Sequence, residues 1–251
     1  MNNLELEQLI NQKLSSDKIN DYAPNGLQVE GKTEIKKIIT GVTASQALID
    51  YAISQSADAI LVHHGYFWKS ESPCIRGMKG KRIKALLLND MNLYGYHLPL
   101  DVHPELGNNA QLAKLLDIEN LQPLEKGAVS IPVWGELKEP MTGENFAEKI
   151  EKVLNRKPLI CIENGPHLIR KIGICTGGGQ GYIDLAAEQG CDAFITGEVS
   201  EQTIHSAREQ GLHFFSAGHH ATERYGIKAL GEWLAKEYGF DVKFKDIDNP
   251  A

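Results

Sequence analysis

The sequence predicts an α/β protein that consists of two similar α/β lobes. Three observations support this fold class. A segment of the first half matches a segment of the second half, and short apolar runs alternate with amphipathic helical stretches in both halves. The composition is that of a globular protein, with 42% hydrophobic and 24% charged residues among 251. Because strands that alternate with helices form parallel sheets, each lobe is expected to contain a βαβ unit.

The internal repeat pairs residues 37–59 with residues 171–193. Nine of the 23 aligned positions are identical, whereas unrelated stretches of average composition would share about one or two. Two βαβ units that converged on one pattern are the alternative explanation. A hydrophobic core does not require shared polar residues such as Asp50 and Asp184, however. We therefore predict an internal duplication, with a pseudo-two-fold relation between the lobes.

Each lobe is predicted to begin with an amphipathic helix and a short strand, which a strand–helix–strand unit follows. The boundary is placed near Lys126, between Pro123 and Gly127, so that the lobes span residues 1–126 and 127–251. The predicted elements cover residues 4–14, 27–30, 37–42, 45–54 and 59–62 in the first lobe, and 146–154, 159–162, 171–175, 182–189, 193–196 and 222–234 in the second.

Composition and charge argue against several classes of protein. The net charge of −7 disfavours a broad basic surface for nucleic acid, although it leaves a local groove open. No apolar run approaches the roughly 18 residues of a membrane span, and the N-terminus lacks the pattern of a signal peptide. The four cysteines form no CxxC pair and are expected to be reduced and mostly buried. We expect a cytoplasmic protein without a membrane partner.

A histidine pair follows the third predicted strand of the first lobe. His63 and His64 come directly after the apolar run at residues 59–62, and open α/β sheets bind ligands at the carboxyl ends of their strands. Adjacent strand residues point to opposite faces, so the pair serves one ion only if the chain turns at Gly65. Adjacent histidines could equally well bind two ions that lie about 3.5–4 Å apart. The alternative to metal binding is a pair of histidines that is hydrogen-bonded or lies on the surface.

Two further clusters each combine a histidine with a carboxylate. His97 and Asp101 are spaced as H-x-x-x-D, and they align with His219 and Glu223, spaced as H-x-x-x-E. If a helix begins near His219, its two residues lie on one face and can chelate, whereas an exposed helix pair is the alternative. Pro99 opposes a regular helix in the first cluster, so a turn must bring that pair together. His97 is therefore either a ligand or a residue that supports one.

The clusters together favour one composite site, because the second half carries Gly197-Glu198 where the first half carries the histidine pair. Imidazole and carboxylate donors fit Zn²⁺, Mn²⁺, Fe²⁺, Co²⁺ or Ni²⁺ and argue against Ca²⁺.

Two other segments could contact a substrate. Gly177, Gly178 and Gly179 lie between a predicted strand and a predicted helix, as phosphate-binding loops do, although they could also form a simple tight turn. No lysine follows, so the loop is not of the P-loop type. Residues 66–68, Tyr-Phe-Trp, could stack a flat substrate, or they could cover the core or a subunit surface.

Several motifs carry a resemblance that runs in order over essentially the whole chain. They are Val62-His63-His64-Gly65, His97-Leu98-Pro99-Leu100-Asp101, Gly107-Asn108-Asn109, Thr176-Gly177-Gly178-Gly179, Thr196-Gly197-Glu198 and Gly218-His219-x-x-Thr222-Glu223. In these motifs the chain resembles the GTP cyclohydrolase 1 type 2 (Nif-three-like) family, most closely its short bacterial form. The resemblance implies a toroidal homohexamer and two similar α/β lobes with a dinuclear metal centre at their interface. It assigns the metal ligands as His63, His64, Asp101, His219 and Glu223.

The leading expectation for function is a metal-dependent hydrolase that acts on a nucleotide or related heterocycle. Two divalent ions would be its cofactors, and either His97 or Glu198 could relay protons, since the spacing does not select between them. The alternative is a non-catalytic, metal-stabilised ring that binds a protein, nucleic acid or nucleotide, although nothing in the sequence supports nucleic acid. A metal store is disfavoured, because buried multidentate sites release metal slowly.

Overall fold

The computed structural model describes residues 1–251, and the chain forms two compact units. The first unit comprises residues 1–106 and 226–248, and the second comprises residues 107–225 and 249–251. Each unit is a mixed α/β structure with its own sheet, which confirms the α/β part of the predicted fold class.

The helices and strands are numbered in chain order. They are α1 (Asn3–Leu14), β1 (Gly26–Val29), β2 (Lys37–Thr43), α2 (Gln46–Ser54), β3 (Ala59–His64), α3 (Gly77–Leu88), β4 (Asn92–Gly95), α4 (Leu98–Val102), α5 (Asn108–Leu115), β5 (Ile118–Pro123), β6 (Val133–Met141), α6 (Gly143–Leu154), β7 (Leu159–Cys161), β8 (Ile169–Cys175), α7 (Ile183–Glu188), β9 (Ala193–Thr196), α8 (Glu201–Gln210), β10 (His213–Ser216), α9 (His219–Tyr238) and β11 (Asp241–Phe244).

The first unit contains a five-stranded sheet in the order β1-β4-β3-β2-β11. The last four strands of this order are parallel, and β1 pairs antiparallel with β4. Ile38 on one face packs in a cluster with Leu6 of α1 and Leu230 of α9, whereas the adjacent Ile39 packs in a second cluster with Leu48 of α2. Helices therefore cover both faces, as a parallel sheet requires.

The second unit contains a six-stranded sheet in the order β5-β6-β8-β9-β10-β7. Its central strands β8, β9 and β10 are parallel, and the outer strands pair antiparallel. Phe146 of α6 packs edge-on against Phe215 of β10, with ring centroids 5.0 Å apart, whereas Phe194 and Phe214 lie in a separate cluster. This sheet also has apolar side chains on both faces.

The strand–helix–strand segments of the two units have matching pairing registers. Ile38 pairs with Ala59 between β2 and β3, and Ile172 pairs with Ala193 between β8 and β9. These are the same positions that the sequence repeat aligns.

A half-buried aspartate has the same role in both segments. Asp58 precedes β3, and its Oδ2 accepts hydrogen bonds from the amides of Lys36 and Lys37 at 2.8 Å. Asp192 precedes β9 and accepts from the amides at 170 and 171, at 2.8 and 2.9 Å. Each carboxylate thus ties the start of one parallel strand to the start of its neighbour.

The compact units differ from the predicted lobes of 1–126 and 127–251. Strand β5 pairs antiparallel with β6, so the predicted boundary near Lys126 falls within the hairpin that joins them. Strand β11, near the end of the chain, pairs with β2 of the first unit. In each of these two pairs, the predicted boundary near Lys126 would place one strand in the first lobe and the other strand in the second lobe.

The remaining differences are local. Residues 98–102 form the short helix α4 where a turn was predicted, because Pro99 occupies the first turn of the helix, where a backbone N–H would have no intrahelical acceptor. None of the four cysteines forms a disulfide, and three are buried, which agrees with the prediction. No helix combines the length and apolar character that crossing a membrane requires.

Candidate metal centre

Three histidines of the first unit come together at the carboxyl end of its parallel strands. His63 and His64 end β3, and His97 lies between β4 and α4. One ring nitrogen from each of the three lies within 4.8 Å of the other two. The sequence predicted the first two as ligands and left His97 open, and the structure places all three in one cluster.

The hydrogen bonds of the histidine pair bear on which ring nitrogen could bind a metal. His63 Nδ1 lies 2.9 Å from the carbonyl oxygen of Tyr96, and because a carbonyl only accepts, Nδ1 is the protonated nitrogen. His63 Nε2 lies 3.5 Å from Oδ1 of Asp101. His64 Nδ1 lies 3.3 Å from the hydroxyl of Thr43. For His63, the nitrogen that could coordinate a metal is therefore Nε2; the Thr43 hydroxyl can donate or accept, so it does not fix the tautomer of His64.

The short helix α4 carries the carboxylate of the first unit. The amide of Asp101 donates to the carbonyl of His97 at 3.2 Å, so the H-x-x-x-D spacing spans one helical turn. The Asp101 side chain is only 8% exposed, and His63 is fully buried. A carboxylate so far from water needs compensating positive charge or hydrogen bonds.

The loop at residues 21–25 contacts this cluster. Asp21 Oδ1 lies 3.0 Å from Nδ1 of His97, and its Oδ2 accepts from Asn25 Nδ2 at 3.0 Å. Burial raises the pKa of Asp21, but the hydrogen bonds from His97 and Asn25 outweigh it and lower the pKa to about 2. No sequence motif marks Asp21, because it and its partner lie 76 positions apart.

Two aromatic rings lie against the histidines. The ring centroid of Trp68 is 4.9 Å from that of His97 and 5.9 Å from that of His64. Tyr22, which is 52% exposed, lies 5.0 Å from His97 and 5.8 Å from Trp68. Tyr66 instead belongs to the core, where its hydroxyl donates to a backbone carbonyl. The tyrosine and tryptophan of the predicted aromatic segment therefore have different environments.

In the second unit, a histidine and two carboxylates come together at the start of α9. His219 Nε2 lies 3.3 Å from Oε2 of Glu223, and His219 Nδ1 lies 2.7 Å from Oε1 of Glu198. Burial lowers the pKa of His219, but the hydrogen bonds and charges of the two carboxylates outweigh it and raise the pKa to about 9. The side chains of His219 and Glu223 thus lie together on one helix face, and Glu198 is a hydrogen-bonding partner of His219.

The glycine loop after β8 packs directly against this cluster. Gly177 has a φ of +65°, and a Cβ there would overlap Oε1 of Glu223. The Gly177 amide donates to the Thr222 hydroxyl at 3.0 Å, and the Gly179 amide donates to the Thr196 hydroxyl at 3.1 Å. A glycine at 177 thus permits the close approach of Glu223. Two of the three loop amides already have acceptors, so a phosphate that bound all three amides would have to displace these hydroxyls.

The donor set fits a transition-metal ion. Metal-binding histidines usually donate their second ring N–H to a carbonyl or carboxylate, and His63 and His219 have such partners on Nδ1. Imidazole and carboxylate donors are suited to Zn²⁺, Mn²⁺, Fe²⁺, Co²⁺ or Ni²⁺. The three histidines of the first unit therefore form a group that could hold a metal, and His219 and Glu223 of the second unit are donors of the same kinds.

Comparison with known proteins gives consistent matches over the whole chain. The family profile of Duf34/NIF3 (NGG1p interacting factor 3) matches residues 1–250. A relative from Haemophilus influenzae, named GTP cyclohydrolase 1 type 2 homolog, is 96% identical over 100% of both chains. A solved structure of protein ybgI, described as of unknown function, is 64% identical with a TM-score of 0.97. The TTHA1606 protein from Thermus thermophilus is 32% identical with a TM-score of 0.90, and both structures are covered in full.

Proposed function

We propose that this chain, which belongs to the Duf34/NIF3 family, is a dinuclear metal-dependent hydrolase of a nucleotide or related heterocycle. The observation that carries the proposal is the cluster of three histidine nitrogens within 4.8 Å, at the strand ends where α/β sheets bind ligands. The name of the Haemophilus influenzae relative, GTP cyclohydrolase 1 type 2 homolog, suggests the same class of chemistry.

The proposed ligands of the two ions are His63, His64, Asp101, His219 and Glu223. Bound divalent cations supply Lewis acidity, which activates water and polarises a substrate oxygen. The low exposure of the two carboxylates, 8% for Asp101 and 4% for Glu223, supports this set. Buried carboxylates are costly unless a cation or donors compensate them, and a shared centre would provide that compensation.

Glu198 is the better of the two predicted proton carriers. Its side chain is 46% exposed and contacts His219, so it can exchange protons with solvent while it remains beside the centre. His97 is only 10% exposed, and its Nδ1 is already engaged by Asp21. We therefore assign the proton relay to Glu198.

The aromatic pair supports a flat substrate. Tyr22 and Trp68 present ring surface next to His97, and base–aromatic stacking contributes about 1–3 kcal/mol per base. Substrate phosphates could contact the glycine loop through Gly178, whose neighbouring amides at 177 and 179 bind threonine hydroxyls. A purine nucleotide has both a flat base that could stack on these rings and phosphates that could contact this loop.

Three further parts of the proposal concern origin, assembly and location. The matching registers of β2–β3 and β8–β9 support an internal duplication with pseudo-two-fold symmetry. A ring-shaped homohexamer follows from the family resemblance alone. The absence of disulfides among the cysteines supports a reducing compartment such as the cytoplasm.

The test is hydrolysis of purine nucleotides by metal-reconstituted protein. We expect turnover that requires added Mn²⁺, Zn²⁺, Fe²⁺, Co²⁺ or Ni²⁺ and stops with chelator. Asp101→Ala should reduce turnover more than tenfold, because even partial loss of water activation raises the barrier by over about 1.4 kcal/mol. Asp50→Ala, which removes an exposed carboxylate from α2, is the matched control and should be unchanged.

The products distinguish the reaction class. Release of formate or a shifted purine spectrum indicates ring opening, whereas release of phosphate alone indicates a phosphatase. Equal low turnover in wild-type and Asp101→Ala protein would indicate contamination. Full metal content without turnover would refute the hydrolase and favour a non-catalytic ring that binds a protein, nucleic acid or nucleotide.

A further inference from the structure

We infer that Asp21 is a positioning residue that holds His97 with Nδ1 protonated and Nε2 directed to the His63–His64 pair, as a third nitrogen donor. The inference rests on the proposed metal centre but not on hydrolysis. It gives a specific role to His97, which the sequence left open between ligand and supporting residue.

The hydrogen bonds of Asp21 determine which partner carries each proton. Apart from His97 Nδ1, every partner of its carboxylate is an N–H group, which can only donate. Asp21 is therefore an ionised acceptor, and His97 Nδ1, at 3.0 Å, must be a donor as well. The four other donors are the amides of Tyr22, Ala23 and Leu98, at 2.7, 3.2 and 2.9 Å, and Asn25 Nδ2, at 3.0 Å.

The same loop fixes the backbone of His97. The amide of His97 donates to Asn25 Oδ1 at 2.8 Å, so residues 21–25 hold both the main chain and the ring. The two side chains of the pair are almost inaccessible, with 3% exposure for Asp21 and 10% for His97. A ring held at its backbone and at Nδ1, with Trp68 packed against it at a centroid distance of 4.9 Å, has little rotational freedom.

With Nδ1 protonated, a neutral imidazole carries its lone pair on Nε2. The ring centroids of His63 and His64 lie 5.1 and 5.8 Å from that of His97, and one nitrogen from each ring lies within 4.8 Å of the others. His63 and His219 show the same arrangement, with Nδ1 engaged by the Tyr96 carbonyl and by Glu198. The Asp21–His97 pair thus repeats the arrangement found at the proposed ligands.

An asparagine in place of Asp21 should reverse this arrangement. The amide has one acceptor oxygen, whereas the carboxylate accepts on both oxygens from five donors. If the oxygen of Asp21→Asn binds the amide of Leu98, its NH₂ group faces His97 and can only donate to Nδ1. The proton of the neutral ring would then move to Nε2, where it would block metal binding.

The first experiment reads the proton position directly in metal-free protein. Nitrogen-15 NMR of histidine-labelled protein, with His97→Gln used to assign the signal, should show wild-type His97 protonated at Nδ1. Asp21→Asn should lose that signature, whereas Asp17→Asn, an exposed control four positions away, should keep it. A wild-type ring that carries its proton only on Nε2 would overturn the inference, and this result requires only that the assignment variant His97→Gln folds.

The second experiment is a double-mutant cycle on Co²⁺ affinity, monitored by the visible spectrum of the bound ion. Loss of a residue that orients a ligand typically weakens metal binding by about 10–100-fold, and we expect this for Asp21→Asn and for His97→Ala. In the His97→Ala background, Asp21→Asn should have less than about a twofold further effect, because its action passes through the missing ring.

Other outcomes of the cycle contradict the inference. Equal weakening by Asp21→Asn in both backgrounds would show that Asp21 acts only by capping α4 through the amide of Leu98. Unchanged affinity and spectrum in His97→Ala would show that His97 is not a donor. Neither readout involves turnover, so a protein that hydrolyses no nucleotide would refute the proposed function and leave this inference to be decided by its own measurements.

Discussion

Replacement of Gly177 by alanine tests how closely the glycine loop and Glu223 approach each other. A Cβ at this position would overlap Oε1 of Glu223 and lie 3.0 Å from His219 Nε2. A carbon–oxygen contact needs roughly 3.5 Å, so the carboxylate must shift by about 1 Å or more. Metal–ligand distances tolerate only about 0.2 Å. Gly177→Ala should therefore displace Glu223 from any bound ion.

Backbone strain must be separated from this contact, because Gly177 also has a left-handed φ of +65°. Gly190 provides the matched control, since its φ is +70° and a Cβ there would meet nothing within 4 Å. The left-handed conformation costs an alanine about 1–2 kcal/mol, which lowers the melting temperature by about 2–8 °C in a chain of this size. Both variants should show this loss of stability.

Only Gly177→Ala should also lose metal. We expect elemental analysis to show one ion fewer per chain, or calorimetry to show at least about tenfold weaker binding, while Gly190→Ala retains wild-type content. Wild-type metal content and affinity in Gly177→Ala would refute the reasoning. So would an equal loss of metal in both variants, since strain alone would then explain the effect.

The remaining predictions concern ligands, protons and assembly. His64→Ala and Glu223→Ala should each lose at least one ion by elemental analysis while keeping the fold, and unchanged content in both would rule out the ligand assignment. With its pKa raised to about 9, His219 is protonated at pH 7 in metal-free protein. Metal binding should therefore release a proton, and affinity should rise by up to about tenfold per pH unit until about pH 9. Calorimetry in buffers of different ionisation enthalpy would detect this release, and its absence at pH 7 would contradict the assignment. Light scattering should show a closed hexamer, and a monomer at micromolar concentration would exclude the ring.

The elements that depend on local pattern were predictable from the sequence. Strands β2, β3, β8 and β9 and the helices between them lie close to their predicted positions, because their apolar periodicity is strong. The repeat also aligned Asp58 with Asp192, and the structure gives these residues the same strand-linking hydrogen bonds. The sequence repeat could show that the two aspartates were equivalent, but it could not show that each one accepts hydrogen bonds from the neighbouring strand.

The features that depend on distant contacts were not predictable. Nothing in a linear pattern indicates that β11 pairs with β2, because the pairing joins segments about two hundred residues apart. The same reason hides Asp21, whose partner His97 lies 76 positions away. For residues 177–179, the sequence showed the glycines but not the reason for them. Their glycines left both phosphate binding and a simple tight turn open, whereas Gly177 is explained by the Glu223 side chain that packs against its backbone.

The discontinuous first unit sets the order in which the protein can fold during synthesis. Its sheet needs β11, and one of its clusters needs Ile227, Leu230 and Leu234, all of which are translated after residues 107–225. At about 5–20 residues per second, that intervening segment takes roughly 6–24 s to emerge. The N-terminal hundred residues therefore leave the ribosome without one edge strand and part of their helical cover. The second unit, which is almost continuous in sequence, can complete its sheet first, so the nascent N-terminal segment is the part most exposed to chaperones and aggregation.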